Sequence, residues 1–208
     1  MSRPGSTERW LATAALALAL EACTLGNGGG EPAPVADVVP PAFTARYDEA
    51  LARVAAGDDA GAAAAFRALV AAYPEYAGPS LNLALIEARA GRDAAALAWL
   101  GGAAKTCSRC GAVWTEAGVI HRKAGRLKDA ERAYQRAIEL EAGYGLAYYN
   151  LAVLYDLYLQ RPELALETYR RYQASSPDAS LNASVSRWVT DLERRVANTT
   201  AARTEDGP

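Results

Sequence analysis

Residues 111–144 read GAVWTEAGVIHRKAGRLKDAERAYQRAIELEAGY, and this stretch decides the fold. In order it holds Trp114, the small pair Ala117–Gly118, His121, Gly125, Ala130, Tyr134, Ala137 and Ala142. The same frame recurs in steps of 34 residues in both directions. One step later, 145–178 gives Tyr148, Leu151, Ala152, Tyr155, Ala165, Tyr169 and Pro177, with one extra residue near the turn LYLQRPE. One step earlier, 77–110 gives Leu83, Ala84, Gly91, Ala96, Leu100 and Ala103, with Trp99 a competitor for the place of Leu100. Two steps earlier, 43–76 gives Ala50, Gly57, Ala62, Phe66, Leu69 and Pro74.

Each place has a physical reason. Gly118 and Ala152 let two helices of one unit approach closely. Tyr134 and Tyr169 fill the space between one unit and the next. Gly57, Gly91 and Gly125 accept the positive φ that ends a first helix. A single unit leaves an apolar face uncovered, so the units must stack, and the last one needs a cap. Residues 179–196 supply it, with Leu181, Val185, Trp188, Val189, Leu192 and Val196 on one helical face. Asp178 or Ser180 is suited to cap that helix, and the polar segment 197–208 is expected to be disordered.

The pattern resembles the tetratricopeptide repeat. That resemblance implies an all-α solenoid of helix-turn-helix units, about four of them, closed by a C-terminal capping helix. It implies that the first helix of each unit lines a concave surface on which a segment of another protein is held. The inward places here are Tyr47, Leu51 and Val54; Leu81, Leu85 and Arg89; Thr115, Val119, Arg122 and Lys123; and Tyr149, Val153 and Leu157. They are largely apolar, with a basic spot at Arg89, Arg122 and Lys123. Chaperone-binding relatives clamp a carboxylate with lysine, arginine and asparagine at such places; Tyr, Leu, Thr and Val stand here, so that function does not carry over. Seven of the eleven tyrosines fall between Tyr144 and Tyr172. Tyr149, with Tyr144, Tyr158 and Tyr172, is either an exposed anchor or covered by the cap or a neighbouring protomer.

The start of the chain reads as an address. Arg3 and Arg9 precede Trp10–Leu20, eleven uncharged residues. A helix of that length reaches about 16 Å, short of the roughly 30 Å of a hydrocarbon core. Residues 1–22 therefore read as a signal peptide. Leu20-Glu21-Ala22-Cys23 resembles the lipobox of bacterial lipoproteins, with Glu21 a departure from the pattern. The resemblance implies that Cys23 is acylated and becomes the first residue. The rest of 23–42, with four glycines and four prolines, is a solvated tether. Thr24 in place of aspartate implies, by the same resemblance, the periplasmic face of the outer membrane.

Net charge is −2 over 208 residues and is unchanged by removing 1–22, so no basic field attracts nucleic acid. The phosphate-loop, nucleophile-elbow and metal-ligand spacings are missing from the sequence, and no cofactor is implied. His121 stands at an aromatic packing place. The remaining motif is Cys107-Ser108-Arg109-Cys110, read as a turn-stiffening disulfide, as free thiols, or as a thiol–disulfide centre. The expected function is a non-catalytic scaffold for cell-envelope assembly. The resemblance to repeat-bearing lipoproteins implies partners among envelope proteins of the pilus, outer-membrane-assembly, peptidoglycan-enzyme or TonB-type systems, with the membrane reached through the anchor. The competing expectations are a periplasmic thiol–disulfide protein and a self-associating structural protein.

Overall fold

The computed structural model describes residues 39–175 and 179–205. Among them lie nine helices and no strand. They are α1 (Pro41–Ala55), α2 (Asp59–Ala72), α3 (Ala77–Arg89), α4 (Asp93–Thr106), α5 (Gly111–Lys123), α6 (Leu127–Leu140), α7 (Gly145–Val153, continued by a π-helix at Leu154–Tyr158), α8 (Pro162–Ser175) and α9 (Ala179–Glu205). Helices α3, α5 and α7 begin at Ala77, Gly111 and Gly145, the 34-residue interval of the sequence. Cys23, the expected signal peptide and nearly all of the expected tether lie outside the described residues.

The turns inside the pairs form as glycine chemistry requires. Gly57, Gly91 and Gly125 have φ of 77°, 74° and 72°. At the first of them Gly57 N–H donates to the Val54 carbonyl (3.0 Å) and Asp58 N–H to that of Arg53 (2.9 Å). This pattern satisfies the carbonyls left open at a helix end. The Asp58 carboxylate then accepts from Gly61 N–H (2.8 Å) and caps α2.

The fourth pair differs. No glycine stands at its turn; Gln160 takes the left-handed conformation instead, at φ 51°. The extra residue seen in the sequence is absorbed upstream as the π-helix, where Leu159 N–H reaches back to Leu154 (3.0 Å) and Arg161 N–H to Tyr155 (2.8 Å).

The chain divides into two compact units at the Cys110–Gly111 bond. The core of the first is built on Phe43, Tyr47, Phe66, Leu69, Leu83 and Ile86. Phe43 stacks on Tyr76 with ring centroids 4.3 Å apart. Leu100 is 2% exposed and fills the second-helix place, while Trp99 packs half-buried against the first core. In the second unit α5 and α6 touch at Gly118: a Cβ there would lie 2.4 Å from the Tyr134 ring.

Helix α9 closes the second unit. Val185, Val189 and Leu192 are buried, and the Trp188 ring lies 5.7 Å from that of Tyr169. Arg195 pairs with the buried Asp156 at 2.8 Å and ties α9 to the π-helix. Asp178 and the Leu181 side chain are outside the described residues, and Ser180 sits within α9 rather than capping it. The helix runs to Glu205, well past Val196, where the sequence suggested disorder. Residues 197–205 contain no glycine or proline and three alanines, so nothing breaks the helix that the cap begins. Thr199 supports this stretch by bonding the Arg195 carbonyl at 2.9 Å.

Candidate functional site

The first helices of the first unit are α1 and α3. Tyr47 is buried at 2% exposure: its ring stacks on Phe43 (5.5 Å) and its hydroxyl accepts from Asn82 Nδ2 (2.6 Å). Gly78 makes room for it, since a Cβ there would lie 3.0 Å from the Tyr47 hydroxyl. Tyr47 is thus a core residue and offers no surface. Leu51 and Val54 pack half-buried against the same core. Leu81 is buried and Leu85 half-buried. Arg89 is exposed and reaches Asp59 of α2 at 2.6 Å. The buried carboxylate of Glu87 is held by Arg67 (3.4 Å) and by Arg92, a network the sequence pattern does not announce.

In the second unit the corresponding helices are α5 and α7. Thr115 is buried, and its Oγ1 has no hydrogen-bond partner. Val119 is half-buried and Lys123 exposed. Arg122 is buried between two phenols: Nε donates to the Tyr134 hydroxyl (3.3 Å), Nη1 to that of Tyr158 (3.1 Å). Its guanidinium lies 5.3 Å from the Tyr158 ring centroid. Burial works against this cation, but the two phenols outweigh it and raise its pKa above the usual arginine value. Of the two basic inward places in this unit, then, Lys123 is exposed and Arg122 is buried against Tyr158.

Tyr149 is buried, packed by Tyr172 (5.6 Å), Trp188 (6.2 Å) and Tyr169 (6.5 Å). It is not an exposed anchor, because α9 lays Trp188 over it. Tyr172 is buried in the same cluster and Tyr144 is half-buried. Val153 is half-buried, whereas Leu157 is 51% and Tyr158 43% exposed. These two stand side by side on the π-helix. Leu164 of α8 is 40% exposed. The sequence signal for the π-helix was the single extra residue, which gives no hint of which side chains it turns outward.

Cys107 and Cys110 are joined by a disulfide, with Cα atoms 5.5 Å apart. Cys107 ends α4, its N–H bonded to the Ala103 carbonyl at 2.9 Å. The C-terminal end of a helix dipole disfavours a thiolate, the reverse of what a redox enzyme needs at its first cysteine. His121 is half-buried, with Nδ1 accepting from Arg126 Nε at 2.9 Å. Among the described residues no group of three acidic, histidine or cysteine side chains is placed to hold a metal. None of the described helices is long and apolar enough to cross a membrane.

Solved structures share this arrangement. PilF of Pseudomonas aeruginosa is 19% identical, with a TM-score of 0.64 over 78% of this chain and 72% of its own. TTC0263, a thermophilic TPR protein of Thermus thermophilus, is 24% identical, with a TM-score of 0.61 over 71% of this chain and 81% of its own. YrrB, a TPR protein with an unusual peptide-binding site, is 23% identical, with a TM-score of 0.54 over 70% and 75%. None of the curated proteins matches the chain in sequence. The tetratricopeptide repeat profile matches residues 47–108 and 115–180. Paired helices at a 34-residue interval, glycine turns in the left-handed conformation and this match agree: the chain belongs to the tetratricopeptide repeat family, with its all-α helical solenoid fold.

Proposed function

We propose that this protein is a non-catalytic scaffold that holds a segment of a cell-envelope protein on the first-helix faces of its repeats. Tetratricopeptide repeats generally mediate protein–protein interactions. The observation that carries the reading is the pair Leu157 and Tyr158, two neighbouring large side chains on the π-helix left 51% and 43% exposed. A half-exposed tyrosine beside a half-exposed leucine offers an anchor of the kind that interfaces favour. A partner that covers both would gain roughly 2–4 kcal/mol from burial alone. Cys23 as a lipid anchor, and the glycine- and proline-rich residues after it, would keep that partner near the outer membrane on its periplasmic side. A pilus, outer-membrane-assembly, peptidoglycan-enzyme or TonB-type component fits that location.

The test is photo-crosslinking from position 153, beside the exposed pair on the same helix, in cells that export the chain. An envelope protein should be captured, and less of it from the Leu157→Ser, Tyr158→Ser variant. Cys23→Ser should move the protein from the membrane to the soluble periplasmic fraction. Capture that ignores both surface changes would refute the scaffold reading. A Cys23→Ser protein that stays with the membrane would refute the anchor.

A further inference from the structure

We propose that the Cys107–Cys110 disulfide is a redox-set latch on the last turns of α4, opened by a dithiol reductant that attacks the Cys107 sulfur. The junctions after α2, α4 and α6 close in different ways at equivalent places. At the junction after α2, Tyr73 and Tyr76 close on each other through their rings, 6.5 Å apart, and Tyr76 N–H reaches the Tyr73 carbonyl at 3.3 Å. After α6, Tyr144 N–H donates to the Glu141 carbonyl at 2.9 Å. The corresponding places after α4 are Cys107 and Cys110, whose backbone contact is long at 3.5 Å and whose closure is covalent.

Helix α4 also lacks the support its counterparts have. Gly101 and Gly102 stand in its interior, each with open space where a side chain would be. The equivalent places hold Arg67 and Ala68 in α2, Gln135 and Arg136 in α6, and Arg170 and Arg171 in α8. Arg67 pairs with Glu87, Arg136 with Glu139, Arg170 with Glu193 and Arg171 with Glu167. Two interior glycines are each about fivefold less favourable for helix than alanine. The end of α4 is therefore weak in helix propensity, and the disulfide is the covalent element that closes it.

Access favours one sulfur. Cys107 is half-buried between exposed neighbours, while Cys110 is buried at 6%. A thiolate of the reductant attacks Cys107 Sγ, the Cys107–Cys110 bond breaks, and Cys110 leaves as a thiolate that takes up a proton. The second thiol of the reductant then attacks its own sulfur in the mixed disulfide. Cys107 is released and protonated, and the reductant closes to its disulfide. Two electrons and two protons have passed to the protein. Freed of the cross-link, residues 101–107 leave the helix more readily, and Leu100 and Ala103 lose their hold on the face of α3.

The experiment is amide hydrogen exchange on the full chain, oxidised and after treatment with dithiothreitol. Closing a loop this short is worth about twentyfold in the chain-entropy picture, so exchange in 101–107 should quicken by about that factor on reduction. Residues 135–141 of α6 should not change. A Cys107→Ala, Cys110→Ala protein should exchange fast with or without reductant. Gly101→Ala with Gly102→Ala, placed where the added methyls meet nothing, should slow exchange in the reduced protein by about fivefold per glycine. Brief exposure to glutathione with acid quenching should place the adduct on Cys107. Exchange in 101–107 that is indifferent to reduction would overturn the latch. So would acceleration spread evenly over 41–106, glycine replacements that do not slow exchange, or an adduct on Cys110.

Discussion

Gln160→Gly isolates the cost of the one turn that the repeat frame leaves without a glycine. Gln160 sits at φ 51°, and an L-residue there is less stable by roughly 1–2 kcal/mol than one in the right-handed region. Glycine removes that strain but gives the unfolded chain more freedom, which offsets about 0.4–1 kcal/mol. The Gln160 side chain is exposed, so its loss forfeits little burial. The variant should therefore be more stable by about 0.5–1 kcal/mol. Urea unfolding followed by circular dichroism measures it. The reciprocal change is Gly125→Ala, at φ 72° with nothing within 4 Å of the new methyl. Its cost should be dihedral alone, about 1 kcal/mol. A Gln160→Gly protein that is less stable than the parent, or a Gly125→Ala protein that loses nothing, would show that left-handed strain does not govern these turns.

Three other expectations bear on the second unit. Gly118→Ala drives a methyl into the Tyr134 ring, 2.4 Å from Cε1, and should lower stability by about 2–3 kcal/mol in urea unfolding. Trp188→Ala uncovers Tyr149 and Tyr169 and should cost about 2–3 kcal/mol, with α9 amides exchanging first. Burial pushes the Glu116 carboxyl from 4.5 up to about 7, against the pull of Lys123. The folded protein thus holds this proton more tightly than the unfolded chain. Stability from this group is full below about pH 4.5 and lost as pH rises to about 7. Because Glu116 keeps some solvent contact, Glu116→Gln should stabilise by about 1–2 kcal/mol at pH 8 and by nothing at pH 4, read from paired unfolding curves.

Features that depend on short spans of chain were legible in the amino-acid order. Helix pairing, the positive φ of Gly57, Gly91 and Gly125, and the close approach at Gly118 all follow from one residue type at one place in a 34-residue frame. The face of α9 formed by Val185, Val189 and Leu192 was legible because periodicity is local. Tertiary structure alone decided which of the inward places stay at the surface. Tyr47 is drawn into the core by Asn82, thirty-five residues away, and Tyr149 is covered by Trp188, thirty-nine away. The repeat frame gives both the same standing as Leu157, because it fixes which face of its own helix a side chain occupies and says nothing of what a distant helix lays upon it. The π-helix belongs with them: an insertion is visible as one surplus residue, but the place where it is absorbed depends on how α7 packs against its neighbours. Exposure is a property of the assembled surface, so the candidate site could be framed from the sequence and resolved only from the packing.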